Sequence, residues 1–360
     1  MHYIYEALYR INEKIPLGEE VAYKAFLELL LWDKNKEKRD VMLGSFLTGL
    51  FCNGSNVAEV DSLLRAIADF EGSRFLLDKI RLDRKVSTII GSGKKWLKTF
   101  NISSAAALVA ASCGVTTVKI GSSATSSITW SMDILRYFWA DLDIGLEKMS
   151  QIIKNSCFWF ISIEDTIPKF DKVYWGKFYA PHILSYILPA LISPLFLDNI
   201  VYWLSCSNLK FTQNLFDFYK IPSYSIVNST LDNIHFIDEI SALWNSNIIR
   251  KHKWPISEFS GYLWEILWLP SSTYDNIKQW SSPEENSQKF LQSITDSWDI
   301  QKNYTVALNA AEILLASWHS NDYEVWFNEA MKIILSGKPL KLLKEFVRET
   351  WGIFYWNYEI

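Results

Sequence analysis

From Met1 to about Phe70 the apolar residues recur at helical spacing: Ile4, Leu8 and Ile11, then Phe26, Leu27 and Leu30, then Met42, Phe46 and Leu50, then Val60, Leu63, Leu64 and Ile67. Positions three and four apart share one face of a helix, so four short helices with polar connectors open the chain. Asn53, Gly54 and Ser55 part the third helix from the fourth. From Val86 the pattern changes. Val86, Ile89 and Ile90 form a short β-branched run that stops at Gly91, Ser92 and Gly93, and Val115 to Val118 form a second that ends in Lys119 and Gly121. Between them Ile102 to Val109 is dense in serine and alanine, a helix thin enough for another backbone to approach. Strands alternating with helices predict an α/β fold: a small N-terminal helical domain over residues 1–70, then a large α/β domain over 71–360 with a mostly parallel central sheet. The end is helical again, through Ala307 to Ser317 and an amphipathic Leu340 to Val347 after the Ser336-Gly337-Lys338 turn.

Composition narrows the function classes. With 360 residues the chain can bury a large core in two domains or one large one. A formal net charge of -4 supplies no general attraction to nucleic acid. Cys52, Cys113, Cys157 and Cys206 are far apart and match no metal spacing, which reads as reduced thiols and a cytoplasmic home. Glu6, Glu13, Glu19 and Glu20 exclude an ordinary secretory signal. The apolar stretch Tyr179 to Leu204 is broken by Pro181, Pro189 and Pro194 and carries His182, Asp198 and Asn199, so it reads as buried helix and strand pieces rather than a membrane span.

Candidate chemistry concentrates in residues 91 to 121. Gly91, Ser92 and Gly93 make a tight turn at a strand end, and Asn101, Ser103 and Ser104 are N-cap candidates for the following helix. Backbone N–H groups at such a helix start, with the positive end of the helix dipole, favour a phosphate or pyrophosphate. Two strand ends facing one crevice, the second carrying Lys119, is the common ligand geometry of open α/β sheets. A connector rich in small residues is the plainer alternative. The Asp238-Glu239 pair is likewise either solvated surface or a ligand for a hard cation.

The order of these segments resembles the anthranilate phosphoribosyltransferase family, whose fold is shared with pyrimidine nucleoside phosphorylases. The family's Gly-Thr-Gly-Gly-Asp turn falls on Gly91-Ser92-Gly93-Lys94-Lys95, and its Thr-Phe-Asn-Ile-Ser run is intact at Thr99 to Ser103. Cys-Gly-Val stands at Cys113 to Val115, Asp-Glu-Ile-Ser at Asp238 to Ser241, Pro-Glu-Glu-Asn at Pro283 to Asn286 and Leu-Asn-Ala-Ala at Leu308 to Ala311. The Lys-His-Gly-Asn-Arg motif becomes Lys119-Ile120-Gly121-Ser122-Ser123, followed by the serine pair Ser126-Ser127.

The resemblance implies transfer of phosphoribose from phosphoribosyl pyrophosphate to a small aromatic acceptor, with Mg2+ shielding the departing pyrophosphate. It places donor phosphates at Gly91, Ser92, Gly93, Lys94, Lys95, Asn101, Ser103, Ser104, Lys119, Ser126 and Ser127, and metal at Ser103, Asp238 and Glu239. It places the acceptor at Ile120, Gly121, Ser122, Ser123 and Lys177, and assigns no catalytic acid or base. It also implies a homodimer through the helical domain, which a segment near 165–195 would complete. The family's histidine, asparagine and arginine after the lysine are replaced by Ile120, Ser122 and Ser123, a poor match for a carboxylate, so the expected acceptor is one other than anthranilate. Trp130, Tyr174, Trp175 and Tyr179 are candidate walls for it. Lys94 and Lys95, replacing a glycine and an aspartate, either obstruct the donor or contact its phosphates with two ammonium groups. The remaining alternatives are a non-catalytic relative that binds nucleic acid or another ligand, and a nucleoside phosphorylase.

Overall fold

The computed structural model describes residues 2–352 except 95, 123–130, 175–176, 253–254, 271, 280–281, 297–299 and 319–321. The four expected helices open it: α1 (His2–Asn12), α2 (Gly18–Leu31), α3 (Lys36–Asn53) and α4 (Val57–Glu71). Their boundaries follow local chemistry. Asn35 caps α3 and Asn56 caps α4, the latter in a reciprocal box with Glu59, and both helices end on a left-handed glycine, Gly54 and Gly72. Glu59 has a second task, accepting the Leu17 and Gly18 N–H groups at 2.6 and 3.1 Å, which ties the start of α2 to that of α4. The Glu71 carboxylate accepts the Lys169 and Phe170 N–H groups, so the end of α4 holds the short helix Pro168–Tyr174.

The sheet begins at β1 (Ser87–Gly91), followed by helix α5 (Ile102–Ser112), β2 (Thr117–Gly121), β3 (Phe158–Ser162), β4 (Asn199–Trp203) and β5 (Tyr224–Thr230). These five strands are parallel; β6 (Phe236–Ile237), β7 (Asn245–Lys251) and β8 (Ser257–Gly261) add antiparallel pairs, in the order β3-β2-β1-β4-β5-β7-β8 with β6 on β5. The mixed sheet is therefore mostly parallel, as the βα alternation required. The antiparallel edge has a clear sequence cause. Only a short turn separates β5 from β6, too little chain for a parallel crossover.

From β1 the chain builds outward first to β2 and β3, then returns to β4 and β5 on the other side. A crevice opens where the order reverses, outside the carboxyl ends of β1, β2 and β4. Helix α5 is buried from Ala105 to Ala110 because alanine lets it lie between the sheet and the buried helix Ile300–Trp318. The stretch Tyr179 to Leu204 supplies the 3-10 turn Ile183–Tyr186, a helical turn Leu188–Leu191 and strand β4, all buried except Pro189, which is partly so. No helix among the described residues is long and apolar enough to cross a membrane.

Candidate functional site

A cavity of about 190 Å3 occupies that crevice. Gly91, Ser92, Gly93 and Lys94 enter it from the end of β1, Asn101 and Ser103 from the start of α5, Lys119 to Ser122 from the end of β2, and Asp238 and Glu239 from the loop after β6. Residues far apart in sequence thus meet because parallel strands deliver their carboxyl ends to one edge.

The polar floor is held in place by bonds to the backbone. Ser92 donates its N–H to the Trp203 carbonyl at 2.7 Å, and its Oγ accepts the Ser205 N–H at 3.0 Å. Ser205 Oγ in turn donates to the Gly93 carbonyl at 2.6 Å, so the glycine turn is bolted to the end of β4. Thr99 Oγ1 donates to Glu239 Oε1 at 2.5 Å, and Ser229 Oγ donates to the Glu239 carbonyl at 2.7 Å. Asn309 grips the next residue on both sides, accepting the Ile240 N–H at 3.0 Å and donating to its carbonyl at 2.9 Å. That is the physical role of the Leu-Asn-Ala-Ala run. Its asparagine, on a buried helix, fixes the acidic loop against the sheet.

Gly91 fits this arrangement because it has no side chain. A Cβ there would stand 2.8 Å from Asp238 Oδ2, closer than atoms can approach. The Asp238 carboxylate therefore rests against the bare backbone of the turn. Asp238 and Glu239 are 4% and 1% exposed, and Lys119, at 2%, is buried beside Ile120, whose carbonyl its Nζ contacts. Two buried carboxyl groups, a buried lysine and a helix start thus meet around one cavity, a set of groups whose chemistry can accommodate a polyanion with its counter-ion.

The other side of the cavity is apolar, walled by Ile163, Ile167, Phe170, Phe178 and Leu188. Phe170, Tyr174 and Phe178 stack in series, with ring centroids 5.1 Å apart at each step. Asp171 opens onto this chamber, its carboxyl raised to about 6 by burial and by Glu164, Glu71 and Asp165. Lys94 also reaches into it. Its Nζ contacts the Tyr174 hydroxyl, lies 2.8 Å from His182 Nε2 and sits 4.6 and 5.3 Å from the ring centroids of Tyr174 and Phe178. Burial pushes this amine down to about 7 and holds His182 well below its ordinary value, with Lys94 adding to the second effect. Lys94 has a φ of 62°, the left-handed region. Keeping a side chain there costs about 1–2 kcal/mol relative to glycine.

From the sequence, Lys94 either obstructs the donor or faces its phosphates; the amine instead bonds with Tyr174 and His182 on the apolar side. Ser104 lies inside α5, fully buried, and does not line the cavity. Lys177 does not line it either; its Nζ pairs with Asp40 Oδ1 at 2.6 Å, on α3. Lys95, Ser123, Ser126 and Ser127 lie outside the described residues, as do Trp130 and Trp175. Of the aromatic walls, Tyr174 lines the chamber, whereas Tyr179 is 72% exposed. His182 and Trp203 have no role assigned from the sequence. The visible signal for His182 is a lone histidine inside an apolar stretch. The Trp203 indole N–H is buried at the cavity wall with no hydrogen-bond partner among the described residues.

Comparison with known proteins agrees with this architecture. A family model described as glycosyl transferase family, a/b domain, matches residues 84–178. The anthranilate phosphoribosyltransferase of Methanobrevibacter smithii is 29% identical over 351 residues, covering 96% of this chain and 99% of its own. That of Ruthia magnifica is 25% identical over 360 residues, covering 96% and 98%. Over nearly its whole length the chain is similar to anthranilate phosphoribosyltransferases. The solved structure of the family member from Thermus thermophilus has the same fold, with a TM-score of 0.76 at 21% identity over 96% of this chain and 99% of that one. The Saccharomyces cerevisiae structure, described as a complex with PRPP and Mg, also has a TM-score of 0.76, at 16% identity over 96% and 97%.

Proposed function

We propose that this protein is a magnesium-dependent phosphoribosyltransferase that uses phosphoribosyl pyrophosphate and an aromatic or heteroaromatic acceptor other than anthranilate. The observation that carries the donor half is the contact of the Asp238 carboxylate with the bare backbone of Gly91, inside a cavity that also contains Glu239, Ser103, Asn101 and Lys119. The donor set suits magnesium. Two buried carboxylates and a hydroxyl are hard oxygen ligands, and no group of three His, Cys, Asp or Glu side chains converges among the described residues. Magnesium commonly takes one or two carboxylates and completes its shell with substrate phosphates and water. When bound, it supplies charge neutralisation to the pyrophosphate as the bond to the ribosyl carbon breaks. The protein's own part is positioning: N–H groups at the start of α5 and the Lys119 ammonium hold the phosphates, and the Gly91–Gly93 turn lets the donor reach the backbone.

The acceptor half supports a ligand without a carboxylate. No arginine among the described residues lines the cavity, and Lys177 is engaged by Asp40. Ile120 and Ser122 stand where the family carries a histidine and an asparagine. The reading takes residues 1–70 as a helical domain that pairs two copies through α1 and α3, where Tyr9 and Val41 are exposed. The test is a thermal-shift titration. Phosphoribosyl pyrophosphate with Mg2+ should raise the melting temperature, and the Asp238→Ala, Glu239→Ala double variant should lose that rise; no rise at millimolar donor would refute the proposal. A salt-dependent gel shift on single-stranded DNA would favour the nucleic-acid-binding alternative, and release of free base from a nucleoside with phosphate would favour the phosphorolytic one.

A further inference from the structure

His182 fixes the protonation of the buried lysine. Its Nδ1 accepts the Leu184 N–H at 3.4 Å, so the proton of the neutral ring resides on Nε2. That same Nε2 lies 2.8 Å from Lys94 Nζ. An ammonium and an N–H would face each other donor to donor, whereas an uncharged amine accepts the Nε2 proton in its lone pair. The Tyr174 hydroxyl touches both groups, closing a three-membered cluster at the end of the apolar chamber.

We infer that Lys94 is the base that takes the proton of the acceptor's nucleophile, and that the acceptor is an uncharged aromatic molecule bearing an ionisable N–H or O–H. The inference rests on the phosphoribosyl transfer proposed above. Its geometric warrant is that one residue belongs to both halves of the cavity: the backbone of Lys94 continues the donor turn Gly91–Gly93, and its amine stands among Tyr174, Phe178 and His182 on the acceptor side. In the step, the bond from the ribosyl carbon to the pyrophosphate oxygen breaks and its electron pair leaves with the pyrophosphate. The acceptor nitrogen or oxygen forms the new bond to that carbon; the Nε2–H of His182 passes its hydrogen bond to the Tyr174 hydroxyl oxygen, which it also touches, and the lone pair this frees on the Lys94 amine takes the acceptor's proton, giving an ammonium. Tyr174 and His182 position the amine and share its proton. Burial of the amine, which brings it down to about 7, suits it to accept a proton near neutral pH.

The other titratable groups facing this chamber are Asp171 on the helix Pro168–Tyr174 and, across the cavity, Lys98, Lys119, Asp238 and Glu239. An uncharged acceptor fits because the chamber wall is largely apolar and the Asp171 carboxyl that opens onto it would repel a second carboxylate. The left-handed backbone at Lys94 adds a second argument. Glycine satisfies that conformation without strain, so the side chain persists at a position that favours having none.

The test uses p-nitrophenol, an uncharged aromatic O–H whose phenolate absorbs to the red of the phenol, added to the protein at neutral pH, where the Lys94 amine is available in its uncharged form and part of the free probe is still protonated, the phenolate band being read as the excess over the free probe at the same pH. The wild type should show a saturable phenolate band, and Lys94→Met and Lys94→Gly should bind the probe without that band. Lys94→Gly suits the local backbone and guards against loss of fold. A phenolate band that survives in both variants, or no saturable change in the wild type, overturns the inference. Stabilisation by phosphoribosyl pyrophosphate with Mg2+, measured on the same samples, reports the donor proposal separately: it should persist in both variants, and its absence from the wild type refutes the transferase reading whatever the probe shows.

Discussion

Replacing Lys94 by methionine removes one buried amine while keeping much of its length, and the consequence for stability has a definite sign and pH window. The amine titrates near 7 in the folded protein and near 10.5 in the unfolded chain. Between these values the unfolded chain binds the proton that the folded protein refuses, so folding is favoured as pH rises. The slope approaches about 1.4 kcal/mol per pH unit for one group. Below 7 both states are protonated and the full penalty of burying the ammonium applies. Above 10.5 both are neutral and the penalty is gone. Methionine carries no such dependence. Urea unfolding of wild type and Lys94→Met, repeated across this range, should therefore give a stability difference that is level below pH 7 and shifts towards the wild type on going up to 10.5. Perturbed groups that do not face Lys94, including Lys79 with its amine lowered to about 8 by burial, are present in both proteins and cancel; His182 does feel Lys94, but its titration lies below this window. A difference independent of pH would refute the placement of an uncharged amine against Tyr174 and His182.

Gly91→Ala should lower stability by about 1–3 kcal/mol, because the new methyl must displace the Asp238 carboxylate, and should abolish magnesium-dependent donor stabilisation in a thermal-shift assay. Glu312 is fully buried, takes two 2.7 Å bonds from Arg250 and one from Ser225, and lies 4.0 Å from His252 Nε2. Arg250→Met should cost about 3–5 kcal/mol by leaving that carboxylate unpaired, as read by chemical denaturation. In the wild type the burial that opposes ionisation of Glu312 is outweighed by Arg250, which holds the carboxyl well below the usual carboxylate range. This stabilisation is therefore complete above the ordinary carboxylate value and lost on acidification below it, which acid unfolding monitored by circular dichroism would detect. Lys177→Ala should leave donor and p-nitrophenol binding within about twofold, since its partner is Asp40; the partly exposed pair contributes at most about 1 kcal/mol.

The fold was legible because its signals are periodic and local. Helical spacing marked α1 to α4, β-branched runs marked β1 and β2, and glycine punctuation marked where each strand delivers its end. The convergence of Gly91, Asn101, Ser103 and Lys119 on one cavity was legible for a related reason: they lie on the elements that the βα alternation brings to one edge. What the sequence could not display were pairings set by tertiary geometry. Nothing near Lys94 indicates that its amine passes the donor turn to reach Tyr174 and His182, 80 and 88 positions away. Chain register makes Lys177 an acceptor contact, but α3 offers Asp40 within reach and captures it. Ser104 resembles a cap because serine often is one, yet α5 starts at Ile102 and turns that side chain into the buried interior. Asn309 illustrates the converse. Its motif is visible, and only the packed helix shows that it holds the backbone of Ile240 on both sides.

The most direct test of the central claim is a calorimetric titration of phosphoribosyl pyrophosphate into the wild-type protein with Mg2+ present. The account predicts one saturable site per chain whose heat disappears when the metal is chelated and is absent in the Asp238→Asn, Glu239→Gln variant. Equal binding with and without metal, or no binding to the wild type at millimolar donor, would contradict it.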